Sequence, residues 1–397
     1  MTKTPRSERL HIGIFGRRNA GKSSLLNAIT GQEIAIVSPT KGTTTDPVYK
    51  TMELFPIGPI VLVDTPGIDD EGQLGTQRIK KARNILRKTD MAILVVGVDE
   101  VLSDYDQALI ILFEETNVKY VTVYNNSNAK FNKPGELCIN ALTGENVPML
   151  KEKLAQIYEA DTTPPQQLVA DLLSPGDVVV LVVHIDESAP KGRLILPQQQ
   201  VIRDILGAHA IPIITQATDL TITLDKLHYP PKLVITDSQV FAPVAEKTPQ
   251  NVELTSFSIL VARYKGVLEE AVRGAQFIDT IKTGDHILIS EGCTHHRQCD
   301  VIGTVKIPRW IEAHTGAKPV YTFSSGEDFP QDLSGFKLIV HCGGCMLNGR
   351  EMHYRKCTAQ SNGVPMTNYG IAISHMQGIL KRCIAPLNLL IEKENDK

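Results

Sequence analysis

Short apolar runs of strand length recur along the chain, separated by segments whose apolar residues return every third or fourth position. "HIGIF" (11–15), "IVLVD" (60–64) and "YVTVYN" (120–125) fall in the first part of the chain. "VVVLVVHI" (178–185), "AIPIIT" (210–215) and "KLVITD" (232–237) follow, and "HILIS" (286–290), "PVYTFSS" (319–325) and "KLIVH" (337–341) come last. Helical segments lie between them: Leu25, Leu26 and Ile29 fall on one face, "QQQVIRDILGAH" is amphipathic, and "MLKEKLAQIYE" and "RWIEAHTG" read as helical. Near-continuous apolar strands alternating with helices predict parallel sheets covered by helices. Phe257, Leu260, Val261, Tyr264 and Leu268 also share a helical face, which predicts one helix leading from the middle of the chain into its last part.

The pattern breaks most clearly at Pro164 and Pro165, after the helix "MLKEKLAQIYE". The expected organisation is α/β in three domains: a P-loop domain over 1–160, then two smaller parallel-sheet α/β domains over 161–265 and 266–397. A length of 397 residues fits two to four domains at about 100–200 residues each. With 42% hydrophobic and 21% charged residues the composition is that of a water-soluble globular protein, and a net charge of -3 offers no general field for nucleic acid. No apolar run approaches the roughly 18 residues of a membrane span, and the polar start "MTKTPRSERL" lacks the apolar region of a signal peptide. Seven cysteines without regular spacing fit a reducing cytoplasm, so clustered ones are weighed as metal or redox groups.

The first cluster of chemistry is "GRRNAGKSSLLNAI", a loop between a strand and a helix. Gly16, Gly21, Lys22 and Ser23 satisfy GxxxxGK[ST]. In that motif backbone N–H groups face phosphate oxygens, the lysine reaches the β and γ phosphates, and the hydroxyl meets magnesium. Gly16, Asn19, Gly21, Lys22, Ser23 and Ser24 are therefore the expected phosphate-side contacts. "GPIVLVDTPGIDD" supplies the second element, with Asp64 for the magnesium shell and the Gly67 N–H for the γ-phosphate. A nucleoside triphosphatase follows from the two motifs together. The basic run Lys80, Lys81, Arg83, Arg87 and Lys88 reads as a solvated helix face.

"GTTTD", "GRRNAGKSSLLNAI" and "DTPG" make the first 160 residues similar to the GTPases of the TrmE and Era type. The resemblance implies that Thr44 closes on magnesium and that Asn19 helps bind potassium, a positive charge where other GTPases insert an arginine. It also implies slow unaided hydrolysis, because Ile68 stands where Ras-like proteins carry a water-positioning glutamine. At the base end the family has NKxD, whereas this chain reads Asn125, Asn126, Ser127, Asn128. Asn128 has one acceptor oxygen and no charge, which weakens guanine recognition by about 1–3 kcal/mol. GTP remains the expected ligand, with the loop around Ala141 in "INALTGENV" resembling the family's SAL loop.

The middle of the chain shows no clustered catalytic groups: His184 and Asp186 end a strand without a third partner, so a role in assembly, as a homodimer, is expected. The last third differs. "GDHILISEGCTHH" is a strand ending in Cys293 and His295, and "GFKLIVHCGGC" is one ending in His341, Cys342 and Cys345. In a parallel sheet the carboxyl ends of strands lie along one edge, which brings CxH and HCxxC together. A structural zinc site, a thioredoxin-like dithiol and an iron–sulfur cluster all use such residues. The dithiol leaves Cys293 and the histidines unexplained; the cluster, on three cysteines with an exchangeable fourth position, is the leading reading and zinc its alternative. Cys299, Cys357 and Cys383 read as incidental thiols.

Taken over the whole chain, these motifs resemble one family, the [FeFe]-hydrogenase maturation GTPases (HydF), which join a TrmE-like GTPase domain to a dimerisation domain and a cluster domain. The resemblance implies GTP, Mg2+, K+ and a [4Fe-4S] cluster as cofactors, with Cys293, Cys342 and Cys345 as cluster ligands and His295 and His341 as further candidates. It implies a diiron precursor as cargo, the radical-SAM maturases HydE and HydG and the apo-hydrogenase HydA as partners. Two rival functions are a zinc-stabilised adaptor GTPase and an RNA- or ribosome-associated GTPase.

Overall fold

The computed structural model describes residues 5–32, 47–65, 75–97 (75–80 in backbone only), 102–125, 137–160, 167–185, 194–292, 302–326 and 328–389. The chain divides into two compact units, Met1–Pro164 and Pro165–Lys397, with the boundary at the expected proline linker.

The first unit is built on six strands: Leu10–Phe15 (β1), Val48–Leu54 (β2), Gly58–Asp64 (β3), Met91–Gly97 (β4), Lys119–Asn125 (β5) and Leu137–Ile139 (β6). Their order is β2-β3-β1-β4-β5-β6, parallel except for β2, which runs antiparallel to β3. The central strands are apolar at consecutive positions because both faces are covered. Ile12, Ile14, Ile93 and Val95 face one core with Leu25, Leu26 and Ile29, whereas Phe15, Leu94 and Val96 face the other with Leu109 and Phe113. Pairing of Ile14 with Asp64 sets the carboxyl ends of β1 and β3 side by side. Lys81 and Arg83 of the basic run are exposed, Arg83 meeting Glu115 at the surface, whereas Arg87 and Lys88 are half-buried, so the run is only partly the solvated face expected.

The second unit holds two four-stranded parallel sheets. Val178–Val182 (β7), Ile211–Thr215 (β8), Leu233–Thr236 (β9) and Glu253–Ser256 (β10) form one, in the order β10-β9-β7-β8. His286–Glu291 (β11), Val320–Ser325 (β12), Leu338–His341 (β13) and Met366–Asn368 (β14) form the other, in the order β12-β11-β13-β14. One continuous core joins them: Val180, Val182, Val234 and Leu254 from the first sheet belong to the same buried cluster as Ile287, Ile289, Leu338 and Val340 from the second.

The single helix expected over residues 257–268 is two. Phe257–Tyr264 ends as Gly266 takes a left-handed φ of +66°, and Leu268–Gln276 starts anew. The glycine breaks an apolar face that is otherwise continuous. Leu268–Gln276 packs so closely on β14 that a Cβ at Gly274 would lie 2.2 Å from the Met366 carbonyl oxygen. The two short strands β10 and β14 were not among the apolar runs read from sequence.

His11 on β1 is buried, its ring Nδ1 donating to the Arg9 carbonyl at 2.8 Å. Burial lowers its pKa from 6.5 to about 4, reinforced by the charges of Arg6 and Lys88 against the Arg9 carbonyl. Between those two values the unfolded chain binds a proton that the folded chain does not, so stability falls as pH drops through that window. We expect this group to remove on the order of 2 kcal/mol between pH 6.5 and about pH 5. Urea titrations at the two pH values check it: His11→Gln should lose less than the wild type, and equal losses contradict it.

Candidate functional site

The phosphate loop begins where β1 meets β4. Gly16 has a φ of +140°, and a Cβ there would stand 2.2 Å from the Val95 carbonyl oxygen, so only glycine lets the chain turn at this point. The loop passes through Asn19, also left-handed at φ +62°, and Gly21, and then enters the helix Lys22–Thr30. Lys22 is buried, its Nζ donating to the carbonyls of Gly16 at 2.9 Å and Arg17 at 2.6 Å, which holds the ammonium inside the loop. Burial lowers the Lys22 pKa to about 8, against the pull of Asp64 and Asp106. Arg17 in turn meets the fully buried carboxylate of Asp106 at 3.3 Å, fixing the loop to the helix Asp104–Glu115.

Asp64 ends β3 directly beside this loop. Its Oδ2 accepts the Ser23 hydroxyl at 2.6 Å, and its Oδ1 is buried with no hydrogen-bond partner. Burial raises its pKa, opposed by Ser23 and Lys22. A buried carboxylate oxygen without a donor calls for a cation or a proton, and a hydroxyl beside a carboxylate is the oxygen donor set that suits magnesium with a nucleoside triphosphate. Ser23 and Asp64 therefore fit Mg2+ as the sequence anticipates. Thr65 locks the next step of the chain, its hydroxyl donating to the Ile14 carbonyl at 2.7 Å.

Asn125, at the end of β5, is a strut between the two halves of the nucleotide site. Its Nδ2 donates to the Ala20 carbonyl at 3.1 Å, and its Oδ1 accepts the Ala141 N–H at 3.0 Å. Gly21 has to be glycine for this reason: a Cβ would lie 2.0 Å from Asn125 Nδ2. Asn140 shapes the loop beyond, its Oδ1 accepting the N–H groups of Leu142 and Thr143 at 2.9 and 3.1 Å. Asn140, which replaces the family's serine, thus retains a side-chain acceptor for the turn. Asn19 is exposed and Ser24 is half-buried.

The second site lies at the carboxyl edge of the last sheet. Ser290 pairs with His341 across β11 and β13, and the Cys342 N–H donates to the Ser290 carbonyl at 2.8 Å. The Cys342 sulfur accepts two backbone N–H groups, from Gly292 at 3.0 Å and Gly344 at 3.4 Å. Gly344 turns with φ +62°, and a Cβ at Gly292 would crowd Leu347 Cγ at 2.7 Å. Lys265, released by the helix break at Gly266, reaches over the loop and donates to the carbonyls of Gly344 and, at 2.6 Å, Leu347. Burial raises the pKa of both thiols; the Gly292 and Gly344 N–H groups oppose it at Cys342, and the Lys265 charge opposes it at Cys345. N–H groups aimed at sulfur, glycine turns and a nearby cation suit thiolates bound to iron.

His341, a further candidate ligand, is engaged within the protein. It is fully buried, with Nδ1 donating to the Cys342 carbonyl at 2.6 Å and Nε2 accepting from Arg355 Nη1 at 2.9 Å. Both nitrogens are engaged inward, and burial together with the Arg355 charge lowers its pKa to about 3. In this structure His341 is thus a neutral group beneath the loop, with both ring nitrogens occupied by protein partners. Cys357 is exposed, 3.3 Å from His353 Nε2, and Cys383 is buried with its thiol pushed up to about 12, as suits incidental thiols. Thr44, Gly67, Asn128, Cys293 and His295 lie outside the described residues, as do Cys299, His296 and Asp186. Sequence reading missed Arg355 and Lys265; only the spacing of Glu351 and Arg355, one helical turn apart, hinted at the former.

Fold and site together define a P-loop GTPase domain followed by two parallel α/β sheets, the last with cysteines along its edge. Residues 11–126 match the family described as "50S ribosome-binding GTPase", 168–266 the "Hydrogen maturase F dimerization domain" and 269–386 the "Hydrogen maturase F tetramerization domain". The chain belongs to the hydrogen maturase F family. It is 31% identical over 170 residues to the GTPase Der of Wolinella succinogenes, covering 38% of this chain and 36% of that one. It is 33% identical over 159 residues to the tRNA modification GTPase MnmE of Streptococcus pyogenes serotype M4, covering 38% and 34%. The chain thus spans about a third of the length of these relatives. The solved structure of an Aquifex aeolicus Era variant bound to GDP and AlF4− is similar with a TM-score of 0.33 and 19% identity, over 60% of this chain and 97% of that one. The middle region expected to assemble as a dimer carries the dimerization description, and the tetramerization description of the last region adds a level that sequence reading did not reach. Among the described residues no helix is long and apolar enough to cross a membrane.

Asp64→Asn retains an acceptor for Ser23 but removes the charge that the magnesium shell needs. Magnesium-dependent GTP turnover should fall on the order of a hundredfold with an unchanged circular dichroism spectrum. Turnover within a factor of two of wild type contradicts the assignment.

Proposed function

We propose that this chain is a GTP-hydrolysing scaffold and carrier for [FeFe]-hydrogenase maturation, holding a [4Fe-4S] cluster on Cys293, Cys342 and Cys345. The observation that carries this reading is the bond from the Gly292 N–H to the Cys342 sulfur. Gly292 immediately precedes Cys293, so the sheet edge ties the start of one half-motif to the thiol of the other. When bound, the cluster supplies redox-active iron and, with three protein thiolates, one iron position for an outside ligand. The protein's own part is to orient the thiols, through N–H groups and the Lys265 charge, and to exclude water behind them with Leu347 and Met352.

In this reading residues 161–265 act as the homodimerisation scaffold and 266–397 as the cluster domain of a cytoplasmic protein. The chain takes a diiron precursor from the radical-SAM maturases HydE and HydG and passes it to the apo-hydrogenase HydA. GTP and Mg2+, with K+ beside Asn19, order the segments carrying Thr44 and Gly67. The change alters partner exchange through contacts that differ between nucleotide states. The similarity to a tRNA modification GTPase extends over 38% of this chain, while residues 168–266 and 269–386 match the hydrogen maturase F descriptions, which favours the maturation reading over an RNA-associated one.

Iron, sulfide and zinc analysis with EPR on anaerobically purified, reduced protein tests this. About four irons and four sulfides per chain, with a reduced-cluster signal that Cys342→Ala loses, is the expected result. Stoichiometric zinc with no such signal after anaerobic reconstitution points to the zinc-stabilised adaptor and overturns the carrier reading.

A further inference from the structure

Away from the cysteine edge, the second unit gathers three metal-ligating side chains from three separate helical ends. Asp279 lies in the short turn Phe277–Thr280 that extends the helix Leu268–Gln276. His314 is in the last turn of the helix Ile307–Thr315, and His375 in that of Tyr369–Met376. His314 Nε2 is 2.7 Å from Asp279 Oδ1, and His375 Nε2 is 3.0 Å from Asp279 Oδ2. The two imidazoles stand 6.0 Å apart, tilted by 60°. All three ligand atoms fall within 4.8 Å of one another.

Electrostatics gives the arrangement its direction. The C-terminal end of a helix carries partial negative charge, which favours cations and disfavours an acidic side chain. Here three such ends converge, and one of them bears Asp279. Burial favours the neutral form of the Asp279 carboxyl, yet His314 and His375 hold its pKa below the ordinary value. The surroundings therefore select positive charge between the rings. Two imidazoles and a carboxylate are a donor set for divalent first-row metals, with protein ligands in three positions and a fourth left to solvent. Tetrahedral bonds of about 2.0–2.2 Å place ligand atoms roughly 3.3–3.6 Å apart, so an entering ion replaces the two His–Asp hydrogen bonds, whose 2.7 and 3.0 Å contacts open by a fraction of an ångström through side-chain torsions. His314 and His375 are only partly buried, so an ion reaches them from solvent.

We infer that Asp279, His314 and His375 form a second metal site, taking a divalent transition-metal ion such as zinc, distinct from the cysteine edge. It pins three helix ends of the last sheet's covering layer to one another, a task that the Asp279 hydrogen bonds perform alone when no metal is supplied.

The test uses the full chain with its iron centre as isolated, titrated with Co2+ and Zn2+. Wild type should bind one equivalent of Co2+ with a visible spectrum lacking thiolate-to-cobalt charge transfer. His314→Gln and His375→Gln should each weaken that binding at least tenfold while iron content stays unchanged. Zinc at a hundredfold excess over the wild-type Kd should raise Tm by on the order of 5 °C in wild type and by about half of that or less in each variant. Should a variant misfold, modification of His314 and His375 by diethylpyrocarbonate in the wild type, mapped by mass spectrometry, decides the question: zinc should protect both rings. Equal Co2+ binding and equal Tm rise in wild type and variants, or rings modified equally with and without zinc, overturns the site and leaves an ion pair. Because iron content is read separately, failure here is distinguishable from failure of the carrier reading.

Discussion

Arg355 is 1% exposed, and a cation so placed persists only where acceptors replace the water it has lost. Its guanidinium finds them on the carboxyl ends of three neighbouring strands: Ser290 Oγ on β11 at 3.4 Å, the Gly326 carbonyl just past β12 at 2.6 Å, and His341 Nε2 on β13 at 2.9 Å. Glu351, one turn earlier on the same helix, neutralises it at 3.0 Å. Five fixed donors in one plane suit this task in a way a lysine does not. Removing one partner of such a buried pair typically costs about 3–5 kcal/mol, because the other charge is left uncompensated. The cysteine loop grows directly out of His341, so the geometry of Cys342 rests on that guanidinium.

The GTPase unit solves a similar problem with smaller groups. Asn125 and Asp64 stand at the carboxyl ends of their strands, as His341 does, and each ties the phosphate loop to a neighbour by side-chain hydrogen bonds. The outcomes differ in sign. Backbone N–H groups and Lys22 make the first edge receptive to phosphate, and Asp64 supplies a negative oxygen for its counter-ion. At the second edge the N–H groups of Gly292 and Gly344 are spent on a sulfur, and they favour its negatively charged form against the burial that raises its pKa. A parallel sheet leaves its strand ends free for either use, and the residues that follow each strand decide which.

Much of this was legible in the sequence. Runs of apolar residues buried on both faces mark most of the parallel strands, and glycines at fixed offsets mark the phosphate loop and the CxxC turn. The short strands β10 and β14 escaped because three or four residues carry little periodicity. The helix over residues 257–268 was read as one because its apolar face continues across Gly266, whose left-handed backbone is visible only in three dimensions. Arg355 escaped because its helix is polar on most positions, so a buried charge reads as a solvated one. In sequence His341 groups with the cysteines because it adjoins Cys342; its burial and the partners of both ring nitrogens are visible only in three dimensions. Asp279, His314 and His375 are too far apart in sequence for spacing to connect them.

One buried guanidinium fixes the loop that presents the thiols, and backbone hydrogen exchange measures this most directly. Wild type and Arg355→Lys, which keeps the charge and loses the fork, are compared by exchange across residues 341–349 and across β11 as an internal control. Exchange faster by at least tenfold in the cysteine loop of the variant, with β11 unchanged, is the result this account predicts. Equal protection of the loop in both proteins contradicts it.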